Sequence, residues 1–230
     1  MRRSLISPIS SNHVVNHKWP RLLSVVLLCW WLGICGWGCG QPQGPPQYGM
    51  VQEVVDGDTI KLVDGRSVRY LGIDTPEMGR NHHPPEFLAQ EAKEFNKKLV
   101  QNQKLRLEYD VERYDQYGRV LAYIFLPDKR MVNAELIRQG LAQVYLFPPN
   151  VKYRDLLVAC QRQALEARQG LWQRPLKADE PYYVGNSRSF RFHRPHCRGA
   201  KSMAKPNRII FDHPRAAYLQ GYSPCKMCRP

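Results

Sequence analysis

Between Met50 and Leu126 lie five short runs of strand-forming residues, "MVQEVV", "TIKLV", "SVRYLGI", "KLRLEY" and "RVLAYIFL". This succession constrains the fold more than any other feature. Runs of this kind, bounded by turn residues, read as β-strands, and five of them within about 80 residues predict a small barrel. Asp64-Gly65 falls where a two-residue hairpin turn belongs.

A helix interrupts the strands. In "PPEFLAQEAKEFNKKLVQ", Leu88, Ala92, Phe95 and Leu99 recur at helical spacing behind prolines, so one apolar face is expected to pack on the sheet. A second helix is predicted in "VNAELIRQG", with Asn133 as N-cap and Gly140 just past its end. The third, "NVKYRDLLVACQRQALEARQG", sets Tyr153, Leu156, Leu157, Cys160, Ala164 and Ala167 along one stripe and ends at Gly170. Strands, helix, strands and two helices make an α+β domain, and a five-stranded barrel with such insertions is the plan of an OB-fold.

Charge divides the 230-residue chain. Its formal net charge is +14, carried by the two ends. Residues 1–47 hold four Lys or Arg and no acid, and residues 182–230 hold ten against one acid. A basic end implies an anionic partner, either nucleic acid or a lipid headgroup. Near the N-terminus, Arg2, Arg3, Lys18 and Arg21 precede the uncharged "LLSVVLLCWWLGICGWGC", which reads as an export or anchoring segment. Cys35 and Cys39 end imperfect lipoprotein processing boxes, so lipoprotein, uncleaved anchor and secreted protein all stay open. Residues 1–40 are thus expected to act as signal or anchor, 41–48 as a linker rich in Pro, Gly and Gln, 49–174 as the barrel domain and 182–230 as a second module. The expected location is the bacterial cell envelope, tethered or secreted.

Chemistry concentrates in "VVDGDTIKLVDGRSVRYLGIDTPE". Each Asp-Gly pair taken singly is ordinary turn chemistry. Asp58 and Thr59, however, are followed after a hairpin's length by Asp74, Thr75 and Glu77, and carboxylates gathered there repel one another unless a cation joins them. Hard oxygen donors with no His or Cys nearby in sequence suit calcium or magnesium. Arg69, inside a strand, either reaches solvent or points with the acids toward an anion.

"VVDGDTIKL", "VRYLGIDTPE", "YDQYGRVLAYI" and "MVNAELIRQGLAQVY" resemble the staphylococcal nuclease (thermonuclease) family, in order and at suitable spacing. The resemblance implies that Asp58 and Asp74 give carboxylate oxygens, and Thr75 a backbone carbonyl, to calcium. It implies that Glu77 activates or orients the attacking water, that Arg69 and Arg119 hold the phosphate, and that Tyr117 and Tyr145 touch the bound nucleotide. The loop after Glu77 carries His82 and His83 where the family prototype is lysine-rich, Gln116 replaces a Lys and Phe147 a Tyr.

The C-terminal module holds His193, Cys197, Cys225 and Cys228 in the spacing H-x3-C-x27-C-x2-C, two close ligand pairs that suit a tetrahedral structural zinc. A disulfide is the alternative, and it leaves one of the three cysteines over; His196 is the alternative imidazole. "YYVGNSRSFRFHRPHC" and "AAYLQGYSPCKMCRP" resemble the small zinc-binding module of Ada.

The expectation is a calcium-dependent endonuclease acting on DNA and RNA as a monomer. The resemblance implies 3′-phosphate and 5′-hydroxyl products. A silent nucleic-acid-binding protein, working through the barrel and the basic zinc tail, is the rival.

Overall fold

A computed structural model describes residues 47–79 and 83–230. The basic and apolar N-terminal segment, the linker to residue 46 and His82 fall outside them. Among the described residues no helix is long and apolar enough to cross a membrane.

All five expected strands form and close into a barrel. β1 (Tyr48–Val54), β2 (Thr59–Leu62), β3 (Ser67–Tyr70), β6 (Val120–Phe125) and β5 (Lys104–Glu108) neighbour one another in that order, β5 closing onto β1. All pairs are antiparallel except β3 with β6. Alternation sends Ile60, Leu62, Val68, Tyr70, Leu105 and Leu107 inward, where they are almost wholly buried. In β1 the inward residues Val51 and Val54 are three apart because the register shifts between Val51 and Glu53, a bulge that re-phases the strand. The β2–β3 turn is longer than the two residues expected. Leu62 N–H donates to Arg66 O at 2.9 Å and Gly65 N–H to Leu62 O at 2.9 Å, which encloses Val63, Asp64 and Gly65 with Gly65 at φ 86°.

Helix α1 (Ala89–Val100) lies where its periodicity put it; Ala92 is fully buried, and Leu88, Phe95 and Leu99 pack on the core from its margin. Asn133 is not an N-cap. Helix α2 (Val132–Arg138) is preceded by Met131, and Asn133 lies buried within its first turn. There its side chain accepts from Ile124 N–H at 2.9 Å and donates to Leu71 O at 2.8 Å, stitching the helix to β6 and to the turn after β3. Gly140, at φ 65°, stands just past the helix end as expected.

Helix α3 (Arg154–Glu166) departs from its single stripe. Leu157, Cys160 and Ala164 are buried, but Leu156 and Ala167 are exposed, and Val158, Gln161 and Leu165 are buried instead. The reason is a second partner. The C-terminal segment forms a four-stranded sheet, β10 (Arg208–Phe211), β8 (Tyr183–Asn186), β9 (Arg191–His193) and β11 (Ser223–Pro224), with α4 (Arg198–Lys201) and α5 (Pro214–Leu219). Ala164, Leu165 and Trp172 share one apolar cluster with Tyr183, Phe192, Phe211 and Tyr218 of this segment. Gln161 Oε1 accepts from Val144 N–H at 2.7 Å and its Nε2 donates to Tyr218 O at 2.6 Å, so one buried amide bridges the two halves.

Candidate active site

The barrel's alternation builds the site. Val68 and Tyr70 point inward from β3, so Arg69 between them faces out. Register pairs Arg69 with Thr59 on one side and Leu121 on the other. Asp58 directly precedes β2 and continues its ladder, Tyr70 N–H donating to Asp58 O at 2.9 Å. The chain then turns back into β4 (Ile73–Asp74), which pairs with β7 (Gln143–Val144), and this return brings Asp74 and Thr75 beside Asp58.

One guanidinium joins the two acids. Arg69 Nη1 lies 3.1 Å from Asp58 Oδ2 and Nη2 3.0 Å from Asp74 Oδ1, while Nη1 also donates to Tyr70 O and Ile73 O at 2.8 and 3.0 Å. Thr75 donates to Asp58 Oδ2 through its backbone N–H at 2.9 Å and its hydroxyl at 3.0 Å. Asp58, Asp74 and Thr75 are all buried. A Cβ on Gly57 would stand 2.7 Å from the Thr75 hydroxyl oxygen, so the bend before Asp58 admits only glycine without moving Thr75. Asp56 Oδ1 accepts from Asp58 N–H at 3.0 Å, and Asn96 of α1 donates to Asp56 O at 3.2 Å while accepting from the Tyr70 hydroxyl at 3.0 Å.

The electrostatics favour a cation. Burial, and then the charge of Asp58, push the Asp56 carboxyl up to about 6 against the pull of Arg69. Burial likewise raises Asp74, although Arg69 and Lys226 oppose it. Burial alone would lower Arg69, yet the surrounding acids, Asp58 foremost, carry it above its ordinary value. Neither a histidine nor a cysteine is among the described residues of the adjoining cleft of about 600 Å³, where Asp56, Asp58, Glu77, Tyr117, Arg119 and Lys226 stand. Buried carboxylates with hard oxygen donors fit calcium or magnesium, and Cys225, which borders a neighbouring groove with Asp74, belongs to the sulfur and imidazole cluster of the C-terminal module.

Glu77 and Arg119 line that same cleft. Glu77 is exposed, its backbone fixed by an N–H bond of 2.9 Å to Glu86 Oε2 and by Glu86 N–H donating back at 3.0 Å. Arg119 is aimed by a residue the sequence reading passed over. Asp115 accepts from the N–H groups of Tyr117 and Arg119 at 2.9 Å and from Arg119 Nε at 2.7 Å. An Asp four residues before an Arg, with Gly118 between, was the available signal. Tyr117 stands exposed at the cleft. Tyr145 is half-buried, and the Arg191 guanidinium lies 3.6 Å from its ring centroid. His83 is exposed and Phe147 largely so.

The sulfur and imidazole ligands also converge. His193 ends β9, Cys197 caps α4, Cys225 follows β11, and the ligand atoms of these with Cys228 all lie within 4.8 Å of one another. Ligand bonds of about 2.0–2.3 Å around tetrahedral zinc place donors about 3.5–3.8 Å apart, so the set fits. Burial and the charge of Arg191 lower His193, leaving the neutral imidazole that ligates metal. All three cysteines are free, and His196 is exposed and outside the cluster.

Comparison with known proteins agrees with both halves. A family model described as "Staphylococcal nuclease homologue" matches residues 67–174, and the "Metal binding domain of Ada" matches residues 166–230. The chain is 43% identical to a thermonuclease of Staphylococcus intermedius over 128 residues, 54% of this chain and 76% of that one. It is 41% identical to a thermonuclease of Staphylococcus hyicus over 125 residues, 53% of this chain and 73% of the other. With endonuclease YncB of Bacillus subtilis it shares 37% over 129 residues, 54% and 61% of the two lengths. An identity of this size across most of a relative's length places the chain in the staphylococcal nuclease family, with an Ada-like zinc-binding module following the barrel.

Proposed function

We propose that the chain is a calcium-dependent nuclease that hydrolyses phosphodiester bonds within DNA and RNA, leaving 3′-phosphate and 5′-hydroxyl ends. What carries the reading is Arg69 held between two buried carboxylates, Asp58 and Asp74, beside a cleft lined by Asp58, Glu77 and Arg119. The thermonuclease relatives support nuclease activity.

A phosphodiester is an anion, so attack on it needs its charge offset and its oxygens fixed. Asp58, Asp74 and the Thr75 carbonyl would hold calcium, which supplies positive charge to the phosphate when bound. Arg119, its Nε taken by Asp115, can turn its two Nη groups to phosphate oxygens, and Arg69 adds positive charge from between the acids. Their job grows as charge builds on phosphorus, which makes them transition-state donors as well as binding groups. Glu77 has solvent access and a fixed backbone, which suits a carboxylate that orients a water or takes its proton. Water adds to phosphorus, the bond to the 5′ oxygen breaks, and that oxygen leaves protonated. Tyr117, exposed beside Arg119, offers a face for a base.

The test is to incubate the protein with plasmid DNA and with RNA in calcium-free buffer, then add calcium. Cutting is expected only after addition, with 5′ ends that a polynucleotide kinase labels without prior phosphatase. No cutting with calcium present, or full cutting by a Glu77→Ala, Arg119→Ala double variant, overturns the reading. Binding without cutting would instead favour the silent, ligand-holding alternative.

We also infer export, with the protein either tethered to the cell envelope or secreted, supported by the basic-then-apolar order of residues 1–40. Recovery of the protein in the cytoplasmic fraction would contradict this.

A further inference from the structure

We propose that the zinc knuckle is a working wall of the nuclease cleft, and that Lys226, between zinc ligands Cys225 and Cys228, binds a phosphate of the nucleic-acid strand being cut. This rests on the nuclease reading above and goes beyond it, because it assigns a substrate contact to the appended module.

Position comes first. Lys226 Nζ lies 3.3 Å from Asp74 Oδ2, and its side chain is 63% exposed. The residue lines the cleft that holds Asp58, Glu77 and Arg119, and also an adjoining groove of about 320 Å³ bordered by Glu77, Tyr145 and Arg229. Both openings therefore share Glu77 and Lys226, and a strand passing the site meets this ammonium.

Charge supplies the need. Asp56, Asp58, Asp74 and Glu77 face an incoming phosphodiester with like charge, and Arg69 and Arg119, already partly neutralised by Asp58, Asp74 and Asp115, leave room for a further cation beside them. The module's side of the opening is basic, with Arg191 on the Tyr145 ring, Lys226 5.1 Å from that ring's centroid, and Arg229 along the groove. Arg191 already covers one face of Tyr145, so the module meets the strand there through charge.

Rigidity makes the contact useful. Cys225 N–H donates to Phe192 O at 2.9 Å, Arg229 N–H to Cys225 O at 2.9 Å, and Arg194 N–H to Cys228 Sγ at 3.5 Å. The module itself is seated on α3 by Gln161 and the shared apolar cluster. The backbone of Lys226 is thus ordered before substrate arrives, and little further backbone entropy is lost on binding.

The test uses the full chain with Lys226→Met and Lys226→Arg, the site being exposed enough to tolerate either. Binding of a fluorescein-labelled single-stranded oligonucleotide is followed by anisotropy in calcium-free buffer at several salt concentrations, and cutting kinetics are measured with calcium. Lys226→Met is expected to keep its zinc, to raise KM about tenfold with kcat within about twofold, and to flatten the slope of log affinity on log salt by about 0.7, one phosphate's share on a single strand. Lys226→Arg restores both. Unchanged KM and salt slope in Lys226→Met overturn the proposal, and so does faster cutting, which would make Lys226 a plug over Asp74. If the wild type does not cut, the nuclease reading fails, while the salt slope of binding still decides whether Lys226 holds a phosphate.

Discussion

Asp115 shows how much of the site rests on side chains behind those that line the cleft. Its carboxylate takes three donors from the loop it begins and fixes both the backbone and the Nε of Arg119. Asp115→Ala should leave the far-ultraviolet spectrum unchanged and lower kcat by about tenfold to a hundredfold, the scale of a misplaced charged group; a kcat equal to wild type would show that Arg119 orients itself. Asn133 plays the corresponding part in the core. Removing its amide strands Ile124 N–H and Leu71 O, so Asn133→Ala should cost about 2–4 kcal/mol in urea unfolding. At this scale the sequence was readable where function repeats a motif. Asp58, Glu77 and Arg119 line one cleft, and Arg69 joins Asp58 to Asp74 beside it. Asn133 was misread because an Asn before an apolar run is the common cap signal, whereas its real partner, Leu71, is 62 residues away.

Elements are positioned by similar long-range ties, and one can be probed by pH. Glu108 closes β5, where it accepts from Arg106 at 2.7 Å, from the Tyr153 hydroxyl at 2.7 Å, and pairs with Lys152 at 2.6 Å, joining the barrel to the start of α3. Burial by itself would raise this carboxyl, but Arg106, Lys152 and Tyr153 together bring it down to about 2 from an ordinary 4.5. A depressed folded-state value means that the charged form stabilises the fold above the unfolded value and that this stabilisation is lost as pH falls through the folded one. The stability gap between wild type and Glu108→Gln should therefore be full at pH 7, shrink below about 4.5 and vanish near 2; a gap independent of pH would contradict it. Strand and helix order were legible from periodicity, because each element's apolar phase is local. The buried second face of α3 was not, since Val158 packs against Gly221, Gln161 reaches Tyr218 O and Leu165 joins the cluster of Tyr183 and Phe192, all in a segment that follows later in the chain.

In the whole molecule, barrel and zinc module are one packed body from Tyr48 onward rather than a catalytic domain with a tethered accessory. Deleting residues 182–230 uncovers Leu165 and Trp172, and each large apolar side chain so exposed costs about 1.5–3 kcal/mol. The truncated chain should unfold at clearly lower urea than the full one; equal midpoints would show that the shared cluster contributes nothing. For the same reason point variants, not truncation, separate the module's charge from its structural part. Its ligand set was readable from spacing, while its seat beside Asp74 was not, because a lysine between two cysteines carries no mark of what it will face. Everything turns on the acids around Arg69 being a metal-assisted phosphodiesterase site. The direct test is the rate of DNA cutting by the full chain as calcium is raised from none, for wild type and Asp58→Asn. Wild type should rise from no cutting to saturation, and Asp58→Asn should stay at least about a hundredfold slower at the same calcium. Cutting by the wild type without calcium, or wild-type rates in Asp58→Asn, would contradict the account.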